Sequence, residues 1–162
     1  MFQIKASFDD RLEVKTSIER ARAFFSDLHN FVELMPGVES ITAGAGGVMR
    51  WLIRADVPVI GAMRAAFNVK QTENSPERLE WSPPQEEKKN LLRYSATFED
   101  CGARTIIRIA QYVELRREHA RDLHLLAGLV GEKILSTEMQ KGVADMMRIF
   151  LGRARAKLEQ AS

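Results

Sequence analysis

The last third of the chain, roughly Leu129 to Leu158, constrains the fold more than any other stretch. Apolar side chains recur at Leu135, Met139, Val143, Met146, Met147, Phe150, Leu151, Ala154 and Leu158. Steps of three and four put them on one face of a helix at about 100° per residue. Thr137, Lys141, Asp145, Arg148, Arg155 and Glu159 fall on the opposite, wet face. A helix of ~30 residues is about 45 Å long at 1.5 Å per residue. So long an apolar stripe needs a broad surface to cover it.

The middle of the chain supplies that surface, because its apolar residues alternate. Between Val48 and Val57, Met49, Trp51, Ile53 and Ala55 share one side, and Arg50, Arg54 and Asp56 the other. Between Ala62 and Thr72, Met63, Ala65, Phe67 and Val69 point one way, and Arg64, Asn68 and Lys70 the other. Leu79 with Trp81, then Leu92, Tyr94, Ala96 and Phe98, then Ile107, Ile109, Val113 and Leu115 continue the pattern. A period of two with one apolar face predicts half-buried antiparallel strands. Gly44-Ala45-Gly46-Gly47, Pro58 to Gly61, Asn74-Ser75-Pro76, Pro83-Pro84 and Asp100-Cys101-Gly102 are the turns between them.

The N-terminal part completes the order. Phe2 to Lys5 and Arg11 to Lys15 alternate and read together as a first strand, with a turn or bulge signal at Asp9-Asp10 between them. Thr16 is expected to cap a short helix, with Glu19 three residues on as in a capping box. Ser26-Asp27 caps a second short helix that stops at Pro36-Gly37, and Val38 to Thr42 is a short strand. Gly128 and Gly131 loosen the start of the long helix, making Leu125 to Gly131 and the Pro58 to Gly61 turn a candidate gate. Gln160-Ala161-Ser162 reads as a frayed end. The expected architecture is α+β: a curved antiparallel sheet of about seven strands around a long C-terminal helix. Two short helices follow the first strand, and one domain spans residues 1–162.

Composition excludes several functions. The 24 Lys and Arg nearly balance 22 Asp and Glu, so the net charge of +2 implies no nucleic-acid partner. A single cysteine, Cys101, forbids an intrachain disulfide and suits a reducing compartment. No apolar run reaches the ~20 residues of a membrane span. Met1 to Lys5 lacks signal-peptide character, so the expected location is cytoplasmic. No HExxH, GxSxG or phosphate-loop motif occurs, and neither a metal nor another cofactor is expected.

The order of elements resembles the helix-grip fold of the START-like (SRPBCC, polyketide cyclase/dehydrase-like) superfamily. The landmarks are Leu12-Glu13-Val14, Met35-Pro36-Gly37-Val38-Glu39-Ser40-Ile41, Ile60 to Phe67, Pro76 to Trp81 and Gly102-Ala103-Arg104-Thr105. The nearest branch is the carbon monoxide dehydrogenase G-like one. The resemblance implies an apolar ligand cavity between sheet and helix. Binders, transporters, cyclases and accessory proteins share the fold, so it does not determine the function.

The candidate ligand-binding residues are the inward-facing Trp51, Ile53, Met63, Phe67, Gln71, Trp81, Tyr94, Phe98, Ile109 and Gln111, with Met139 and Met146 from the helix. Methionines give such a wall adaptability. The competing reading makes the same side chains a closed core. Gln71, Gln111 and the Tyr94 hydroxyl need partners if buried, either protein, water or a ligand's oxygens. His29 and Tyr94 are the catalytic candidates, but they form no acid–base pair in sequence, and His119 and His124 lie in a charged connector. Cys101 has no activating partner. Arg50, Arg54, Arg64, Lys70, Arg93, Arg104 and Arg108 form an outward basic set, mixed with acids.

The leading expectation is binding or transport of a hydrophobic small molecule: a lipid, polyketide or aromatic compound. The alternatives are a cyclase/dehydrase-type enzyme, or an accessory module docking on a protein or a peripheral membrane surface. Oligomeric state is not legible.

Overall fold

The alternation in the middle of the chain becomes one sheet in the computed structural model, which describes residues 1–160. The elements are β1 (Phe2–Val14), α1 (Ile18–Ser26), α2 (His29–Leu34), β2 (Val38–Ala43), β3 (Val48–Val57) and β4 (Gly61–Asn74). Then come β5 (Arg78–Ser82), β6 (Asn90–Asp100), β7 (Thr105–Arg117), α3 (Ala127–Val130) and α4 (Glu132–Gln160). Seven strands pair antiparallel in the order β1-β7-β6-β5-β4-β3-β2. β1 and β2 are therefore opposite edges, and α1 and α2 carry the chain from one to the other. Register shifts at Val38/Ser40 and Gln71/Glu73 break the ladders. Such bulges bend a strand, which suits a sheet wrapped around a helix.

Local chemistry differs from expectation at three helix starts. The cap of α1 is Ser17, whose Oγ accepts from the Arg20 amide at 3.3 Å. Thr16 is instead buried, and its carbonyl accepts from Thr105 Oγ1 at 2.9 Å. The tie to β7 holds Thr16 one residue too early to cap. The apolar stripe predicts one unbroken helix from Leu129, but Gly131 at φ 89° separates α3 from α4. At α2 the N-cap position is Leu28, which makes no side-chain cap, while Asp27 Oδ1 one residue earlier accepts from the His29 amide at 3.0 Å. The part of the expected frayed end at 161–162 lies outside the described residues.

The wet face of α4 performs a task that its pattern does not reveal. Ser7 donates its amide to Gln140 Oε1 at 2.8 Å and accepts from Gln140 Nε2 at 2.6 Å. Glu132 and Ser136 take the amides of Gln3 and Lys5. Arg155 donates to the Glu13 carbonyl at 2.7 Å, and Glu159 accepts from the Lys15 amide at 2.9 Å. Polar side chains spaced about four apart thus satisfy the free edge of β1, which would otherwise invite pairing with another chain.

One half of the interior is aromatic. Phe31 stacks on Phe150 at 4.7 Å and meets Trp51 and Tyr94 edge-on at 5.3 Å each. Phe25 packs on Phe24, Phe98 and Phe150 at 5.0, 6.0 and 6.1 Å. Among the described residues no helix is long and apolar enough to cross a membrane.

Candidate functional site: a cavity under the long helix

Beyond this aromatic knot the helix and sheet part, leaving a cavity of about 670 Å³. Its floor is Ile53, Ala55 and Val57 of β3, Met63, Ala65 and Phe67 of β4, Gln111, Val113 and Leu115 of β7, and Ile4 of β1. Its roof is Leu135, Met139, Gly142, Val143, Met146 and Ile149 of α4, and one side is closed by Pro36–Glu39 after α2. Small residues account for part of the space. A Cβ on Gly142 would meet nothing within 4 Å, and Ala55 and Ala65 line the sheet side.

Gly37 secures the wall nearest the aromatic knot. Its φ of +87° is a left-handed conformation that glycine adopts without strain. A Cβ there would lie 2.7 Å from the Arg54 carbonyl, and the Gly37 carbonyl accepts from the Arg54 amide at 2.7 Å. The α2–β2 connection is thereby fastened to β3.

Charge is confined to the cavity's edge. Arg64 pairs with Glu39 at 2.8 Å and Arg54 with Asp56 at 3.4 Å. Asp145 is exposed and Glu138 half-buried. The deep polar group is Gln111, only 6% exposed, whose side-chain amide has no hydrogen bond to another described residue. An amide without a protein partner in the cavity wall is open to water or to a ligand that enters the cavity.

Gln111 is one end of a polar row on the concave face. It lies opposite Tyr94, which lies opposite Trp81, which lies opposite Gln71. The Tyr94 hydroxyl and the Nε1 atoms of Trp51 and Trp81 are buried with no hydrogen-bond partner. Burial pushes the Tyr94 phenol far above its ordinary range, so it is a neutral donor at physiological pH.

The wall is held from behind by a polar cluster. Glu114, between the cavity-lining Val113 and Leu115, faces the other side of β7 and is 2% exposed. It accepts from Gln3 Nε2, Tyr112 Oη and Arg116 Nε. Burial works against its charge, but these donors outweigh it and hold the carboxyl down to about 2. Burial and the same carboxylate push Tyr112 up to about 12.

Six of the sequence-predicted residues meet in the cavity wall: Ile53, Met63, Phe67, Gln111, Met139 and Met146. Six do not. Trp51 and Tyr94 pack around Phe31, and Phe98 packs on Phe25. Ile109 is fully buried further along β7, Trp81 lies opposite Tyr94 on β5, and Gln71 is half-buried at the β4 irregularity. His29 is on α2, 3.5 Å from Glu33, and is not in the cavity wall. Leu123 lines the cavity, whereas Leu125 and Leu129 are 84% and 83% exposed and Val59 of the β3–β4 turn is 76% exposed.

Ile4, Ala65, Val113, Leu115, Leu135 and Val143 also line the cavity and were missed by sequence reasoning, although the alternation and helical spacing contain all six. The Pro36–Glu39 wall had no signal, since nothing local shows that this connection turns over the groove. Among the described residues, no three His, Cys, Asp or Glu side chains converge as a metal site requires. In the outward basic set, Arg54, Arg64 and Arg104 form ion pairs.

No protein-family model and no curated protein matches the chain. Solved structures do. The di-domain aromatase/cyclase StfQ from the steffimycin biosynthetic pathway superposes with a TM-score of 0.66 at 12% identity over 98% of this chain. This chain spans only 52% of StfQ. The Zhui aromatase/cyclase from Streptomyces sp. R1128 gives 0.63 at 14% identity, with 98% of each chain covered. A START superfamily protein from Mycobacterium smegmatis gives 0.62 at 11% identity, covering 96% of this chain and 99% of that one. The fold is START-like. These neighbours do not single out the carbon monoxide dehydrogenase G-like branch.

Proposed function

We propose that this START-like protein binds or carries a hydrophobic small molecule in the cavity between α4 and the sheet. The observation that supports this most is the combination of about 670 Å³ of mainly apolar space with one deep, unpartnered amide, that of Gln111. Burying an apolar ligand there contributes about 25 cal/mol per Å² before the cost of immobilising it. The amide would orient an oxygen of the ligand. The names of the fold neighbours, aromatase/cyclases and a START superfamily protein, agree with a small-molecule cavity.

Binding is favoured over cyclase-type catalysis by where the titratable groups sit. Those in the cavity wall are Glu39, Arg54, Asp56, Arg64, Glu138 and Asp145, and they stand at its edge rather than in its depth. Proton transfer needs an acid or base within reach of the reacting atom.

Native mass spectrometry of gently purified protein is the direct test, and it is expected to find a co-purified small molecule or uptake of added fluorene. Ala65→Phe places a ring in the cavity and is expected to abolish uptake while keeping the fold. Undiminished uptake by that folded variant would place the ligand elsewhere.

A further inference from the structure

We infer that the cavity continues into a deeper compartment, closed in this structure by Phe31, where Trp51, Trp81 and Tyr94 present hydrogen-bond donors to acceptor oxygens of an otherwise apolar ligand. The inference rests on the small-molecule reading above and specifies what that molecule must carry.

The first support is the clustering of orphaned donors. Native interiors leave few buried polar atoms unpaired. Here three belong to neighbouring side chains: Trp51 and Tyr94 both touch the Phe31 ring, and Trp81 lies opposite Tyr94. The second is continuity with the cavity. Phe67 and Gln111 line it, and they lie directly opposite Trp51 and Tyr94. Trp51 and Tyr94 are thus cross-strand neighbours of cavity-lining residues, and the Phe31 ring packs on both.

The chemistry of the donors narrows the ligand. An indole N–H donates and cannot accept, and a neutral phenol donates readily. Gln111 adds an amide N–H beside them. A carbonyl or ether oxygen satisfies this set, whereas an ammonium or a bare hydrocarbon does not. Phe31 sits on the six-residue α2, which leads directly into Pro36 and the left-handed Gly37 of the cavity wall.

Fluoren-9-one and fluorene share a skeleton and differ by one carbonyl oxygen, so they make the test. Trp51 and Trp81 are the only two tryptophans of the chain, and their emission reports entry into the inner compartment. Calorimetry is expected to show fluorenone binding about tenfold more tightly than fluorene, roughly the effect of one hydrogen bond. In an apolar cavity without donors the order would reverse, because the carbonyl loses its water. Tyr94→Phe removes only an unpartnered hydroxyl, so it is expected to fold with an equal or higher Tm and lose most of the preference. Phe31→Ala is expected to tighten fluorenone binding and enlarge the change in tryptophan emission. Equal affinity for the two probes, or a preference left intact by both Tyr94→Phe and Trp81→Phe, overturns the inner donors while the small-molecule reading stands. Failure of wild-type protein to bind either probe removes both.

Discussion

The two ends of the groove under α4 are built differently. At one end Phe24, Phe25, Phe31, Phe98 and Phe150 interlock with Trp51 and Tyr94, and the space is full. At the other, alanines, methionines and a helix glycine face each other across about 670 Å³. The filled end is held by its interior. The open end cannot be, so it is held from outside: Glu114 is pinned behind the wall, and α4 hydrogen-bonds to the edge of β1. Stability and capacity are thereby separated along a single groove.

Equivalent truncations at the two ends probe this division most strongly. Phe150→Ala is expected to cost about 3–5 kcal/mol, as for other large-to-small core changes. Met139→Ala, in a wall that already faces space, is expected to cost less than ~2 kcal/mol because it opens little new void. Urea denaturation measures both, and equal losses would break the comparison.

Acid should loosen the open end. Glu114 has its folded value lowered to about 2 from an ordinary 4.5. Its contribution is therefore complete above pH 4.5 and lost as pH falls through about 2. The loss is of the order of 3 kcal/mol at one pKa unit per 1.4 kcal/mol. Glu114→Gln should lack this part of the acid dependence, measured by denaturation at stepped pH. An unchanged profile would show that the outer cluster does not hold the wall.

Gly37→Ala gives a smaller effect at the boundary between the ends. Left-handed strain and the approach to the Arg54 carbonyl are expected to cost about 1–3 kcal/mol. The loss should appear in thermal unfolding, together with weaker fluorene uptake. Lower stability with unaltered uptake would uncouple this joint from the cavity.

Much of the fold was legible because its periodicities are strong. Val48–Val57 was bounded to the residue, since Gly47 and Pro58 punctuate a clean alternation. The other strands extend by a few residues beyond their apolar cores, where ladder bonds continue after the pattern has stopped. Thr16 and Ser17 both suit a cap, and only the bond from Thr105 distinguishes them. The site was half legible. Alternation put Trp51 and Ile53 on the same inward face, but Trp51 reaches the knot and Ile53 the cavity. Their separation depends on where Phe31 lands, which nothing near either residue encodes.

Sequence by itself determined which side of each strand and helix turns inward, because that choice depends on local period and on excluding apolar side chains from water. Tertiary structure decided where along the inward face there is substance and where there is space. That outcome depends on how far a curved sheet, a long helix and a crossing pair of short helices diverge. Divergence of this kind is set by side-chain volumes drawn from distant parts of the chain acting together.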